Sequence, residues 1–529
     1  MSAKLTNVLV GIPEIADIAS CGRSAVGNWR KRHVDFPTPK VQTPSGALFD
    51  LAEVERWLIE NGKIAGPVPR KTVLWRVIEP LRGLWSVAQI ADFIVAALVY
   101  LEACDRAVHQ LSPDQQVPRI APGDQWDAVR ETEPHRLLER LGKASANIER
   151  ENPQVPSLLA DGLAQTPKPD PIVVRTVLDA LSEASSDDGS PRFELFEEVV
   201  ARLQETDRFR GAFTTPDDVA ELMVRLASRS AKAIFDPAVG EGGLLLLAAL
   251  HDGSGVQPHL IGYEINPRVL CLAQARFFLY DVSVELRTCD AFRTHELPMV
   301  DLVLLDPPLG QAKWGDAEVY LDKRWQYGVP PPTSSEFAWL QLAASCLGPR
   351  GQAIVVTSTG AISRRGREAD IRSAMVQAGV IEAVVLLPPR LRSNTSIPLA
   401  LWILRGPSDR LASEVLLVDA SSLGDRGRSL YSLDENDLEL VVEAVQAHRE
   451  GRAADSAAAV LAHVIPLLNI VASDADLNPA RYTPMIQTDV AELERRAQTL
   501  RSSLRGASEH AAASVAKLLR ELAESEVNR

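Results

Sequence analysis

The sequence predicts an α/β protein in which helical segments accompany a doubly wound, mostly parallel sheet. Between Lys232 and Arg405, short aliphatic and β-branched runs alternate with helical stretches, and strands joined by such crossovers form parallel sheets. The 529 residues are 46% hydrophobic and 24% charged, which is the balance of a globular chain with a sizeable core. At about 100–200 residues per domain, this length predicts three or four domains.

The net charge and the cysteines exclude several classes of protein. The charge of −14 at pH 7 excludes a surface that wraps nucleic acid throughout, so any DNA contact must be local or shared with a partner. The five cysteines include no Cys-x-x-Cys pair and the nine histidines form no ligand-like set, so no metal site is predicted. Scattered cysteines also predict a reducing, cytoplasmic location.

Targeting and membrane segments are not expected. The N-terminus lacks the apolar core of a signal peptide. The longest apolar run, Phe93–Leu101, is far shorter than the roughly 20 residues that a membrane span needs. We therefore expect neither secretion nor membrane insertion.

Residues 1–62 are predicted to form a winged helix-turn-helix domain. Helical patterns at Glu14–Ala19 and Arg23–His33 flank a turn that contains glycine, and a third pattern covers Leu51–Leu58. Residues 21–40 hold five basic residues and one acidic residue, so the second helix can carry cations into a major groove. The residues that we expect to contact DNA are Arg23, Ser24, Asn28, Arg30 and Lys31.

The same segment resembles the winged helix-turn-helix start of the MerR and excisionase families. The resemblance lies in the runs Pro13–Ala16 and Leu48–Leu58. A helical hairpin that only packs, or that docks a partner, is the alternative interpretation.

Residues 70–150 are predicted to form a helical domain. Apolar residues recur at helical spacing from Thr72 to Cys104, which indicates packed helices without chemistry of their own. Proline-containing stretches at Leu111–His135 and Glu151–Pro171 interrupt the helical pattern and are predicted as linkers. A helix at Glu194–Gln204 then leads toward the strand pattern, within a domain assigned to residues 172–406.

Seven runs of that domain are predicted as strands. They are Ala233–Asp236, Leu260–Glu264, Val284–Arg287, Val300–Asp306, Ala353–Thr357, Ala383–Leu387 and Leu399–Leu404. In a doubly wound sheet, ligands bind outside the carboxyl ends of the strands. The residues that follow each run are therefore the first candidates for a functional site.

The first predicted strand ends in a glycine-rich turn that opens a leucine-rich helix. Glycines let the backbone approach a nucleoside closely, and a helix N-terminus favours a carboxylate. The candidate cofactor contacts of this turn are Asp236, Gly240, Glu241, Gly242 and Gly243. Asp236 as a helix cap and Glu241 as a solvent-exposed acid are the alternatives.

Acidic residues also follow the next two strands. Glu264 ends the second strand, where a carboxylate can accept both hydroxyls of a ribose. After the third strand, Asp290 can accept an amino hydrogen of adenine and Phe292 can stack on its ring. Phe292 fits a core position equally well, and Asp290 could only cap a helix. Dinucleotide enzymes share these features, so they indicate a nucleoside cofactor without naming the reaction.

The fourth strand ends in Asp306-Pro307-Pro308-Leu309, which we take as the candidate catalytic element. An amino nitrogen on a nucleobase is a poor nucleophile because its lone pair is delocalised into the ring. Acceptors at Asp306 and the Pro307 carbonyl can bond its two hydrogens and aim the nitrogen at a methyl donor. Two consecutive prolines hold these acceptors rigidly. A solvated acid and prolines that merely end a strand are the alternatives.

Together with the run Gly211–Pro216, these motifs resemble the N-6 DNA methylase family, and in particular the modification subunits of type I restriction systems. The resemblance implies a Rossmann-like methyltransferase sheet, S-adenosylmethionine as cofactor, and methyl transfer to the exocyclic amino group of adenine in double-stranded DNA. It adds the cofactor contacts Phe213, Thr214, Thr215 and Pro216. Further similar runs are at 322–331, 387–389, 394–398 and 477–482.

The sequence departs from the family at the base-binding element. The family usually has Asn-Pro-Pro followed by Phe or Tyr, whereas Asp306 and Leu309 stand here. A carboxylate accepts hydrogen bonds as an amide does, but Leu309 removes an aromatic face worth about 1–3 kcal/mol of base stacking. The candidate substitutes are Trp314, Trp325 and Tyr327.

These departures leave a second hypothesis, which is a catalytically inactive DNA-binding regulator or scaffold on a methyltransferase fold. Glu241 adds to it, because a small or hydroxyl residue is usual at that place in the family. Methylation of RNA or protein is a third, weaker hypothesis, since the Asp-Pro-Pro element is shared with such enzymes. The active adenine methyltransferase is the interpretation that we prefer.

Residues 407–486 are predicted as a C-terminal extension of the methylase domain, and residues 487–529 as one long helix. Apolar or small residues recur near heptad spacing from Val490 to Leu522, which suits an arm that grips a partner or a helix folded back on its own domain. The segment after Arg405 is too short for a large target-recognition domain, so we expect a separate specificity subunit. The resemblance implies a restriction subunit or a second copy of the chain as further partners.

Overall fold

The computed structural model describes thirteen stretches of the chain. They are residues 9–43, 46–64, 81, 85–109, 118–156, 171–186, 192–206, 215–228, 231–251, 257–392, 397–407, 413–426 and 431–482. Residues 1–477 form one compact unit, and the described part of the second unit, 478–529, contains a 3-10 turn at Pro479–Arg481. The expected contacts Phe213 and Thr214 and the expected arm at 487–529 lie outside the described residues.

The N-terminal residues form three helices and a small antiparallel sheet. The elements are β1 (Leu9–Val10), α1 (Ile12–Ile18), α2 (Arg23–Arg32), β2 (Val41–Thr43), β3 (Gly46–Asp50) and α3 (Leu51–Glu60). The strands lie in the order β1-β3-β2. Asp50 begins α3 because its carboxylate accepts a hydrogen bond from the backbone nitrogen of Glu53. Phe36 packs edge-on against Phe49 and Trp57 at the centre of this small core.

A helical bundle follows. Its helices are α4 (Val87–His109), α5 (Trp126–Arg130), α6 (Pro134–Glu151), α7 (Pro171–Ser186) and α8 (Arg192–Thr206). Their buried apolar side chains share one core. One expectation needs correction here, because α5 lies inside a stretch predicted as a linker. Helices α7 and α8 fall within the range assigned to the methylase domain, and their apolar side chains also join the core of the bundle. A five-residue helix is too short to show a period, and the grouping of helices depends on packing that a local pattern does not reveal.

Helix α4 is the centre of the bundle. It is the one helix in the described part of the chain that is long and apolar enough to cross a membrane. Within the window Val87–Val108, 72% of the residues are buried inside the protein. This burial is what the core helix of a bundle shows.

Nine strands of the described chain form a single mixed sheet. They are β4 (Ala233–Asp236), β5 (His259–Glu264), β6 (Glu285–Thr288), β7 (Val300–Leu305), β8 (Leu347–Ser358), β9 (Ile381–Leu386), β10 (Leu399–Arg405), β11 (Glu414–Asp419) and β14 (Ala462–Pro466), while β12 (Asp425–Arg426) and β13 (Tyr431–Ser432) form a separate pair. The order is β14-β11-β9-β10-β8-β7-β4-β5-β6. The pairs from β6 through β8 are parallel, whereas β10 runs antiparallel between β8 and β9.

The strand order reverses between β4 and β7. The chain moves outward from β4 to β5 and β6 on one side and then returns to β7 on the other. Loops that leave the carboxyl ends of β4 and β7 therefore diverge, and such a switch point is where doubly wound sheets bind ligands. All seven predicted strands are present, whereas β11, β14 and the reversed direction of β10 were not predicted.

Helices cover both faces of the sheet. They are α9 (Asp217–Leu226), α10 (Gly243–His251), α11 (Pro267–Leu279), α12 (Ala317–Tyr320), α13 (Glu336–Ser345), α14 (Gly360–Ser363), α15 (Arg367–Gln377), α16 (Glu435–Glu450), α17 (Ser456–Leu461) and α18 (Leu467–Ala472). Helix α16 begins with a capping box between Asp434 and Asp437 and ends at Gly451 in the left-handed conformation. Because β11, α16 and β14 lie on the sheet and in its core, the described residues between 413 and 477 complete this α/β fold.

Candidate active site

Four acidic residues lie at the carboxyl ends of four neighbouring parallel strands. Asp236 ends β4, Glu264 ends β5, Asp290 follows β6, and Asp306 directly follows β7. Parallel strands bring these ends to one edge of the sheet, and β4 and β7 flank the switch point. The structure thus gathers the four acids that the sequence singled out.

The glycine-rich turn after β4 has a backbone that other residues rarely adopt. Gly240 has φ of +55° and Gly242 has φ of +84°, and both values lie in the left-handed region. A Cβ atom on Gly242 would lie 2.8 Å from the Phe277 ring, so this turn also packs closely on α11. Gly243 then begins α10 and is exposed. The turn can therefore present its backbone directly to a ligand.

Glu241 is held through its backbone. Arg276 of α11 donates to the Glu241 carbonyl and pairs with Glu197 of α8, at 2.8 Å between Nη2 and Oε2. Helix α8 of the bundle is thereby linked to the glycine-rich turn through the buried guanidinium of Arg276. Glu241 is half-buried. This exposure is compatible both with a cofactor contact and with the solvent-exposed alternative.

Asp236 is buried in a negatively charged environment. Its side chain is 2% exposed, and its Oδ1 accepts a hydrogen bond of 2.9 Å from the backbone nitrogen of Ala238. Burial raises the pKa of Asp236 to about 8, the Ala238 N–H opposes this rise, and the carboxylates of Asp306 and Glu264 add to it. A cation bound beside Asp236 would favour its ionised form.

Glu264 connects the turns that follow β4 and β5. Its Oε2 accepts from the backbone nitrogen of Gly240 at 3.2 Å, and its Oε1 accepts from that of Asn266 at 2.8 Å. A carboxylate has about four lone-pair sites, so acceptors remain for two ribose hydroxyls. The neighbouring residue Ile265 is 67% exposed. Its apolar side chain is available to contact a nucleobase, and it was not predicted from the sequence. An apolar residue directly after a strand-end acid is the sequence signal that could have revealed it.

Asp290 and Phe292 have different roles in the structure. Asp290 lies at the sheet edge, and its Oδ1 accepts from the backbone nitrogen of Phe292 at 2.9 Å. Phe292 is 4% exposed, and its ring packs against Trp314 and Trp339 with centroids 5.1 Å and 4.2 Å apart. Of the two alternatives for Phe292, the structure favours the core position, because other aromatic side chains enclose its ring.

The predicted substitutes for the missing base-stacking ring are mostly buried. Trp314 and Trp325 are 5% and 7% exposed, and their indole N–H groups donate to the backbone carbonyls of Pro331 and Val319 at 3.0 Å and 2.6 Å. Both rings therefore serve the aromatic core. Tyr327 is half-buried and stays a candidate, while Leu309 packs partly against the sheet core.

Asp306 is paired with an arginine that the sequence did not suggest. Arg392 Nη2 donates to Asp306 Oδ1, and the two side chains are 5% and 3% exposed. Among the described residues, Asp306 Oδ2 is buried without a hydrogen-bond partner. Arg392 follows β9, so its loop reaches past β10 and β8 to the end of β7. Nothing local in the sequence marks such a contact.

The remaining predicted residues lie on the surface or at helix ends. Pro216 is the N-cap of α9, and Thr215 beside it is half-buried. The predicted DNA contacts Arg23, Ser24, Asn28, Arg30 and Lys31 are all exposed on α2, whereas Val26 of the same helix is buried. No group of acidic, histidine or cysteine side chains in the described chain could hold a metal ion. None of the five cysteines, all of which lie in the described part of the chain, forms a disulfide.

An arginine-rich cavity lies beside the candidate catalytic element. Its volume is about 430 Å³, and its lining includes Gly310, Ser334, Arg364, Arg365 and Arg367. Arg364 pairs with the buried Glu336, at 2.7 Å between Nη1 and Oε2. Arg365 and Arg367 are exposed and make no ion pair within the described residues. Two cations without an ion-pair partner among the described residues thus lie next to the Asp-Pro-Pro loop of an acidic protein.

Comparison with known proteins identifies the family. The family model described as N-6 DNA Methylase matches residues 193–490, which is more than half of the chain and includes all four acids. The chain belongs to the N-6 DNA methylase family. S-adenosylmethionine is therefore the expected cofactor, as the resemblance implied.

Relatives within this N-6 DNA methylase family carry matching names. The chain is 27% identical over 299 residues to the HindI methylase subunit of a type I restriction enzyme from Haemophilus influenzae, covering 54% of this chain and 67% of that one. It is 24% identical over 304 residues to the MjaIX methylase subunit from Methanocaldococcus jannaschii, covering 54% of each. The chain thus spans about half to two thirds of the length of these relatives.

A solved structure has the same fold. A type I restriction-modification methyltransferase subunit from Streptococcus thermophilus superposes with a TM-score of 0.65 at 22% identity, covering 78% of this chain and 98% of that chain. This likeness confirms the predicted α/β methyltransferase fold.

The residues of the site fit S-adenosylmethionine. The positive-φ glycine turn gives backbone access, Glu264 offers acceptors for ribose hydroxyls, and Ile265 offers an apolar face for adenine. The partly satisfied carboxylate of Asp290 can accept from an adenine amino group. Asp236 lies where a positively charged ligand would offset its burial.

Proposed function

We propose that the protein methylates the exocyclic amino group of adenine in double-stranded DNA, as the modification component of a type I-like restriction-modification or phage-defence system. The observation that carries this proposal is Oδ2 of Asp306, which is buried and has no partner among the described residues. It lies at the switch point, directly after β7 and beside the acids of the neighbouring strands. A buried acceptor without a partner is costly unless a ligand donates to it.

The site can activate an amino nitrogen without a strong base. Asp306 Oδ2 accepts one amino hydrogen and the Pro307 carbonyl accepts the other, which draws the nitrogen lone pair out of conjugation with the ring. Pro307 and Pro308 fix the backbone that carries both acceptors. S-adenosylmethionine, when bound, supplies a methyl group on a positively charged sulfur. The contribution of the chain is therefore positioning and electrostatics.

The target adenine must leave the duplex to reach Asp306, whose side chain is only 3% exposed. The cations Arg365 and Arg367, next to Gly310, suit the phosphates of the strand from which the base is turned out. On α2, the exposed residues Arg23, Arg30 and Lys31 offer a second cationic surface for DNA or for a partner.

Sequence specificity is proposed to come from a separate specificity subunit. The relatives are named as methylase subunits of type I restriction enzymes, and none of the described elements after β10 forms a further large domain. A restriction subunit or a second copy of the chain would complete the assembly. Cysteines that form no disulfide among the described residues suit a cytoplasmic protein. An inactive scaffold is not favoured, since the family match spans all four acids.

The proposal is tested by expressing the chain with its genomic neighbours in a host that lacks DNA methylation and sequencing the DNA for modified adenine. Methyladenine at one recurrent sequence is expected, and Asp306→Ala should abolish it. The exposed residue Glu439 on α16 gives the matched control Glu439→Gln, which should leave modification unchanged. Absence of modification in the presence of the specificity partner, or modification that survives Asp306→Ala, would overturn the proposal.

A further inference from the structure

The ion pair between Asp306 and Arg392 joins the catalytic element to a distant loop. Asp306 stands at the end of β7, and Arg392 follows β9, with β8 and β10 between these strands in the sheet. Both side chains are almost fully buried, at 3% and 5% exposure. Removing one partner of a buried ion pair destabilises the protein, because the other charge is left buried and uncompensated.

The pair uses only one of the two carboxylate oxygens. Arg392 Nη2 donates to Oδ1, while Oδ2 is buried and has no partner in the described part of the chain. The Nε of Arg392 is also buried without a partner among the described residues. The guanidinium therefore does not form a bidentate pair with the carboxylate through Nε and Nη2. The pairing thus leaves Oδ2 open as the acceptor that an adenine amino group requires.

The surroundings make a lone carboxylate unfavourable at this position. The charges of Asp306 and Glu264 both raise the pKa of Asp236, so three acids act on one another at the switch point. An asparagine at this position would accept a hydrogen bond without adding a charge. An aspartate adds a charge, which a buried cation beside it offsets.

We propose that Arg392 is a positioning residue that offsets the charge of Asp306 and fixes its carboxylate for binding the target base. The pair has no net charge, and it leaves Oδ2 of Asp306 open to the base. Arg392 does not touch the base and acts through Asp306. The inference rests on the proposed function. It adds a residue that an aspartate at position 306 needs for activity and that an asparagine there would not need.

The test is a cycle of four proteins, namely the wild type, Arg392→Gln, Asp306→Asn and the double variant, assayed for adenine methylation with the specificity partner. In the wild-type background, Arg392→Gln should lower kcat about 30–100-fold while KM for cofactor and DNA stays within about threefold. In the Asp306→Asn background the same change should cost less than about threefold. Arg392→Lys, which retains the charge, should recover part of the lost rate.

Several outcomes would overturn the inference. Equal losses in the two backgrounds would show that Arg392 acts independently of the charge on Asp306. A rate increase in Arg392→Gln would show that the arginine blocks the site. If Arg392→Gln fails to fold, comparison of the double variant with Asp306→Asn and of Arg392→Lys with the wild type still decides between these results. Failure of the wild type to methylate adenine would instead contradict the proposed function.

Discussion

The two sides of the switch point are built differently. On the cofactor side, β4 and β5 end in turns whose contacts lie close in sequence, such as Asp236 with Ala238 and Glu264 with Asn266. On the base side, Asp306 is held by Arg392, 86 residues further along the chain. The cofactor side thus depends on local geometry, whereas the base side depends on a contact made only in the folded sheet. Changes on the two sides should therefore affect separate steps of the reaction.

The largest effect on the cofactor side is expected from Glu264→Ala. This change removes the acceptors for the ribose and frees the backbone nitrogens of Gly240 and Asn266. Affinity for S-adenosylmethionine should fall about 100-fold, since hydrogen bonds to a charged group contribute about 1.5–3 kcal/mol. Isothermal titration calorimetry measures it, with Glu439→Gln as the exposed acidic control. Unchanged affinity would contradict the assignment of Glu264.

On the base side, a double charge reversal of Arg365 and Arg367 should weaken DNA binding. Two lost phosphate contacts should lower affinity about 10–30-fold at moderate salt and reduce the salt dependence of log K by about two. Fluorescence anisotropy over a salt series measures both quantities, and cofactor affinity should not change. Arg136→Glu, on the exposed surface of α6, is the control. An equal loss with that control would indicate a general charge effect.

Asp236→Asn should weaken cofactor binding about 10-fold while stabilising the fold at high pH. The pKa of Asp236 is about 8 against an ordinary value of 3.8, so folding takes up a proton and the wild type loses stability as pH rises between these values. Asparagine keeps an acceptor for Ala238 and does not titrate. Melting temperatures should be similar near about pH 4, and the variant's should be higher near about pH 8. A difference that does not vary with pH would contradict this account.

The smallest effect is expected on α2. Arg23→Gln with Lys31→Gln should lower DNA affinity only about threefold and reduce the salt slope by about one, because both side chains are exposed and contact phosphates at most. The exposed Arg56→Gln on α3 serves as the control. No change in DNA affinity, combined with lost binding to the specificity subunit, would favour the docking alternative for this segment.

The same division explains how far the sequence could predict the molecule. The seven strands and the four acids were predictable, because alternation of elements and residues at strand ends are local signals. The antiparallel direction of β10 and the pairing of β11 with β14 were not, because strand direction has no local signature. Phe292 was a candidate both for cofactor stacking and for the core. No local signal could decide between these positions, because its enclosure by Trp314 and Trp339 arises only in the fold. Arg392 was missed for the same reason.

The most direct test measures S-adenosylmethionine affinity and adenine methylation on the same preparations of wild type, Glu264→Ala and Asp306→Ala. Asp306→Ala should bind the cofactor within about threefold of the wild type and methylate at least about 1000-fold more slowly. Glu264→Ala should lose affinity but recover most of its rate at saturating cofactor. Loss of cofactor binding in Asp306→Ala, or methylation that persists in it, would contradict the division of the site into a cofactor side and a base side.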